Sequence, residues 1–135
     1  MSSSDYLLDT VTLSEMRKRN PVVRWFTERD EASLFISAVS VGEIERGAAL
    51  KRPRDALFAD ALTRWLERLL VHYEDRIIPV DTRIARCWGR LGATIGHMSA
   101  DLLIAATALE RDLTVVTRNI RHFAPAGVPV ENPFV

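Results

Sequence analysis

Apolar positions along the chain follow two rhythms, short unbroken runs and helical repeats, and the two alternate from end to end. The runs are Tyr6 to Leu8 within 5–8, "SLFISAV" over 33–39, "RIIPV" over 76–80, "LTVVT" over 113–117 and a weaker "VPVEN" over 128–132. Such short runs, rich in β-branched residues, predict buried strands. Helices are predicted between them. Residues 12–20 read as one, and Pro21 favours the start of another through Arg29. Thr12 with Glu15, and Ser40 with Glu43, stand at capping-box spacing, the second opening a helix towards Lys51. From Arg54 to His72 the stripe is clearest: Leu62, Trp65, Leu66, Leu69 and Leu70 fall at i, i+3, i+4, i+7 and i+8.

Asp81 then caps a helix whose inner face carries Ile84, Cys87, Trp88 and Leu91, and Ser99 caps "DLLIAATALERD". The latter is apolar on nearly all sides in its first half, which predicts a central, covered helix. Strands alternating with helices imply a parallel sheet covered on both faces. The expected fold is a three-layer α/β/α sandwich with four to five short parallel strands.

Composition narrows the class. A chain of 135 residues without an internal linker is read as a single domain spanning 1–135, large enough to fold without disulfides or structural metal. "MSSSDYLL" has neither a basic start nor a long apolar stretch, so no signal peptide is expected, and no run is long enough to span a membrane. Cys87 stands alone, which suits a reducing cytoplasm. Eighteen basic and eighteen acidic residues cancel, but sixteen of the basic ones are arginine, the better fork for phosphate as well as an ordinary ion-pair former.

The candidate chemistry lies at strand ends, where open parallel sheets collect ligands. Asp9 follows the first strand, Glu43 lies in the first turn after the second, Asp101 opens the helix before the fourth, and Asn119 follows that strand. Each has a structural alternative: Asp9, Asp101 and Asn119 as helix-start residues, Glu43 as the partner of Ser40. Together they imply more. Three carboxylates within about 5 Å repel by about 3 kcal/mol per pair at an effective dielectric near 20. The total, on the order of 10 kcal/mol, rivals the stability of a domain. Protons or a cation must relieve it, and oxygen-only donors select Mg²⁺ or Mn²⁺. Such an ion supports phosphodiester hydrolysis.

The same residues resemble a known family. "LLDTVTLSE", "SAVSVGEIERGA", "MSADLLIAATALERDLTVVTRNIRHF" and the late "NPF" are similar, in order and spacing, to the motifs of the PIN domain in its VapC-type toxin branch. This resemblance implies a metal-dependent ribonuclease with Mg²⁺ held by Asp9, Glu43 and Asp101. It also implies a homodimer, a cognate VapB-type antitoxin, a higher toxin–antitoxin assembly and an RNA target, often transfer RNA. The chain departs from the family's pattern at Val11, Asn119 and His122, so one ion rather than two is expected.

On this reading Glu43 orients or deprotonates the attacking water, and Asn119 holds a water through its amide oxygen. Thr10 and Thr117 support the acids, and Arg118 and Arg121 meet RNA phosphates. Arg17, Lys18 and Arg19 are a second basic group or a solvated helix face. His72 and His97 read as structural, and His122 as a surface or helix-cap residue. Trp25 and Phe26 are core or part of an antitoxin groove. Other α/β phosphate chemistries fit less well: no lysine follows Lys51, as a receiver domain needs, and Val11 replaces the second aspartate of a haloacid-dehalogenase-like phosphatase. "GRLGATIG" lies inside a helix pattern, unlike a dinucleotide loop. The remaining rival is a PIN-like protein that binds antitoxin or RNA without cutting.

Overall fold

The computed structural model describes residues 5–18 and 21–134. Among these, five strands form one all-parallel sheet in the order β3-β2-β1-β4-β5. They are β1 (Tyr6–Leu8), β2 (Leu34–Ser37), β3 (Ile77–Ile78), β4 (Thr114–Val116) and β5 (Val130–Glu131). Seven helices flank them: α1 (Thr10–Glu15), α2 (Pro21–Thr27), α3 (Ala38–Lys51), α4 (Ala56–His72), α5 (Thr82–Ile95), α6 (Ala100–Arg111) and α7 (Ile120–Phe123). The three-layer sandwich expected from the alternating runs is the fold observed.

Two-residue alternation along the strands builds one core on each face. Leu7 and Val115 pack with Ile84, Cys87, Ile104 and Phe123 from the α5, α6 and α7 layer. Leu8, Val116, Leu34 and Ile36 turn the other way, onto Leu13, Ile44, Leu62, Leu66 and Leu69. In the α4 stripe Leu62, Leu66 and Leu69 are buried and Trp65 and Leu70 partly so, and α6 buries Leu102 and Ile104 to Ala108. No helix among the described residues is long and apolar enough to cross a membrane.

The element boundaries correct several expectations. The first helix starts at Thr10, because Asp9 itself is the cap: its Oδ1 accepts the Thr12 amide at 2.8 Å. Thr12 is therefore an interior residue, and its hydroxyl donates across to the Val116 carbonyl at 3.0 Å. Likewise Ser37, not Ser40, caps α3, accepting the Val39 amide at 3.1 Å. Glu43 therefore sits a turn deeper in the helix than the Ser40 spacing implied. Asp55 caps α4, so that helix begins at Ala56. β1 matches its apolar run, while β2 to β5 are shorter than theirs, Ala38 and Val39 being taken into α3. The four-residue α7 and the 3₁₀ turns Glu31–Ser33 and Ala124–Ala126 are too short to leave a periodic signal. Arg19, Asn20 and the initial "MSSS" lie outside the described residues.

Candidate active site

The sheet order places β1 between β2 and β4, so whatever follows Leu8 emerges at the middle of the carboxyl edge. That residue is Asp9, 2% exposed. Its amide donates to the Val116 carbonyl at 3.1 Å, which fixes the backbone, and its Oδ1 accepts the Thr12 amide, which orients the side chain. Burial pushes its pKa above the ordinary 3.8, and the nearby charge of Asp101 pushes it the same way. Hydrogen bonds from the Thr117 hydroxyl and from Thr12 oppose the shift without cancelling it. Thr117 is fully buried, and its Oγ also accepts the Asn119 amide at 2.9 Å. One hydroxyl thus joins the end of β4 to the Asp9 carboxylate.

Asp101 reaches the same region from the first turn of α6, which Ser99 caps through the Leu102 amide at 3.1 Å. Its carboxylate is a third exposed, and Oδ2 accepts a hydrogen bond from His122 Nδ1 at 2.8 Å. Glu43 is exposed on α3, and its Oε1 accepts the Thr10 hydroxyl. That hydroxyl also lies 2.8 Å from the Ser40 Oγ, so Thr10 ties the start of α1 to two successive turns of α3.

Asp9 and Asp101 are therefore in electrostatic reach of each other, and Glu43 is tethered to the residue next to Asp9. The close triple of acids anticipated from the strand ends is not formed: among the described residues no three His, Cys, Asp or Glu side chains are grouped to hold an ion. Two of the acids are engaged elsewhere, Asp101 with His122 and Glu43 with Thr10. The donor chemistry still fits a hard divalent cation. It consists of carboxylates alone, and the most buried of them carries a charge that its surroundings disfavour.

Asn119 stands ahead of α7, where its side chain makes no capping bond. Arg118 is engaged: its guanidinium lies 3.6 Å from Glu15 Oε1 and 4.0 Å from the centre of the Phe134 ring. Arg121 is exposed and borders a cleft of about 340 Å³ with His97, Ser99, Asp101, His122 and Pro125. Of the second basic group, the two described members are engaged. Arg17 lies over the Phe58 and Trp65 rings at 5.4 and 6.0 Å, and Lys18 pairs with Glu15 at 3.3 Å. Trp25 belongs to the core and donates from Nε1 to Glu131, with Phe26 partly buried against it.

His122 is the site neighbour that sequence reasoning missed as such. Its approach to Asp101 depends on how α7 packs on α6, and only its place three residues after Asn119 hinted at it.

A buried strand-end aspartate within the field of a second aspartate on an α/β/α scaffold fits a known family, and the chain belongs to it: residues 6–127 match the PIN domain. Among characterised relatives, the chain is 33% identical to the plasmid stability protein StbB of Pseudomonas syringae pv. tomato and 34% identical to the toxin FitB of Neisseria gonorrhoeae. Each alignment covers 95% of this chain and 97% of the relative. A VapC ribonuclease of Sinorhizobium fredii is 31% identical over 95% of this chain and 96% of its own. The crystal structure of FitAcB from N. gonorrhoeae superposes with a TM-score of 0.83 at 33% identity, covering 96% of this chain and 98% of that one. DNA-bound VapBC from Salmonella typhimurium, at 23% identity and a TM-score of 0.75 over 98% and 99% of the two chains, shares the fold.

Proposed function

We propose that this chain is a metal-dependent endoribonuclease toxin of a type II toxin–antitoxin system. It would act in the cytoplasm on RNA, with transfer RNA as the expected target. It would work as a homodimer, restrained by a cognate VapB-type antitoxin within a larger assembly. The observation that carries this reading is Asp9, almost wholly buried with its anion disfavoured by burial and by Asp101. A protein has little reason to keep such a charge at the centre of its sheet edge unless a cation joins it. The similarity to a toxin and to a named ribonuclease supplies the direction.

Asp9 and Asp101 would hold Mg²⁺, or Mn²⁺, with Glu43 completing the donor set. The bound ion supplies charge neutralisation at the phosphoryl oxygens and a more acidic water. Glu43, with Oε1 already held by Thr10, takes the proton of the attacking water at Oε2. The water oxygen bonds to phosphorus as the bond to the leaving oxygen breaks, and the leaving oxygen takes up a proton from solvent. Thr117 keeps Asp9 in one orientation, and the Asn119 amide, which makes no capping bond, positions a water beside it. Arg118 and Arg121 bind the flanking RNA phosphates.

The test incubates purified, antitoxin-free protein with total RNA, with and without Mg²⁺, alongside Asp9→Asn and Asp101→Asn. Cleavage that needs Mg²⁺ and disappears in both variants is expected. Cleavage that persists in EDTA or survives both substitutions rejects the proposal. One observation favours a second reading: His122 occupies Asp101, and the acids are spread. On that reading the chain sequesters antitoxin or RNA without cutting, and wild-type protein that binds RNA but leaves it intact selects it.

A further inference from the structure

The cleft beside Asp101 gives the flanking phosphate assigned to Arg121 a definite place, and adds a donor that the cleavage chemistry does not use, His97. Its volume, about 340 Å³, falls within the roughly 300–1,000 Å³ typical of ligand sites. Arg121 and Asp101 border it together, yet the carboxylate bonds to His122, and among the described residues Arg121 has no ion-pair partner. A guanidinium left unpaired next to a carboxylate that has chosen another partner is available to an anion from outside. His97 adds a second donor. Gly96, at φ 101°, ends α5 in the left-handed region that glycine favours and turns the chain so that His97 meets Ser99. The Ser99 amide donates to His97 Nδ1 at 3.4 Å, which leaves Nε2 as the ring nitrogen open to a ligand.

We propose that this cleft is a phosphate subsite of the nuclease, in which Arg121 and His97 hold the RNA phosphate next to the scissile one. It rests on the ribonuclease reading and adds to it a place for the neighbouring nucleotide. His122 borders both places, so its bond to Asp101 sets the spacing between the cutting site and the subsite. A subsite of this kind fixes the register of the strand without reading its bases.

The experiment measures binding of a fluorescent single-stranded hexauridylate in EDTA across a salt series, where nothing is cut. Arg121→Gln is expected to weaken binding about tenfold at low salt. It should also flatten the slope of log affinity against log salt by about 0.7, one phosphate contact on a single strand. Arg121→Lys should restore the slope, since the charge returns. His97→Ala is expected to weaken binding about fivefold, one hydrogen bond's worth. Both positions are exposed, so melting temperatures should match wild type. Unchanged affinity and slope in Arg121→Gln and His97→Ala overturn the subsite.

Wild-type cleavage in Mg²⁺, run in parallel, separates the two ideas. A wild type that cuts while its variants bind normally removes the subsite and leaves the nuclease. A wild type that never cuts while the variants lose binding removes the nuclease and leaves a phosphate-binding cleft.

Discussion

Asp9 and Asp81 are the same local device in two places. Each follows a strand of the sheet, has an extended backbone, and caps the next helix by accepting an amide three residues on, at 2.8 Å from Thr12 and 2.9 Å from Ile84. Their electrostatics are opposite. Asp81 follows the edge strand β3, where the Ile84 amide and the side chain of Arg111 hold its pKa below the ordinary range. Asp9 follows β1, flanked by strands on both sides, where burial and Asp101 raise its pKa. A capping aspartate is thus an ordinary stabilising feature at the rim of a parallel sheet. At the centre of its carboxyl edge the same residue becomes a charge in need of a partner.

Substitution should separate the two. Asp9→Asn keeps an amide oxygen for the cap, so the fold should persist, while RNA cleavage falls by more than the roughly 10- to 100-fold typical of losing a supporting partner. Next in size, Thr117→Val removes the hydroxyl that donates to Asp9, and a loss of about tenfold in cleavage is expected at pH 7. His122→Ala tests the exposed side of the site. The Asp101 pair is half open to solvent, so its stability cost should stay below about 1 kcal/mol in a denaturant melt. Asp81→Asn should change cleavage least of all and lower the melting temperature only slightly.

The two carboxylates also predict opposite responses to pH. The folded pKa of Asp9 lies above the unfolded value near 3.8, so its contribution to stability is complete below that value. That contribution is lost as pH rises through the elevated folded pKa. The folded pKa of Asp81 is depressed, so its contribution is present above 3.8 and is lost as pH falls through the folded value. Melts recorded against pH in EDTA should show the first trend flattened in Asp9→Asn and the second flattened in Asp81→Asn.

Much of this was legible in the residues. The alternation of runs and stripes announced the sandwich, and the strand-end rule located Asp9, Asp101 and Asn119 before any geometry. Capping boxes misled twice, because the same spacing recurs inside helices. Ser40 lies within α3 and bonds to Thr10, while Glu43 turns to that threonine rather than back to its own helix start. The cleft of His97, Arg121 and His122 had no pattern to betray it. It exists because α6, α7 and the end of α5 meet, and no short-range rhythm encodes that meeting. Arg17 read as a surface charge, but aromatic rings of α4 hold it.

The most direct measurement is calorimetric titration of Mg²⁺, repeated with Mn²⁺, into antitoxin-free protein and into Asp9→Asn and Asp101→Asn. A single saturable site in wild type, abolished by either substitution, is the expected result. No heat of binding in wild type, or a site that survives both substitutions, would contradict the claim that these two carboxylates share a cation.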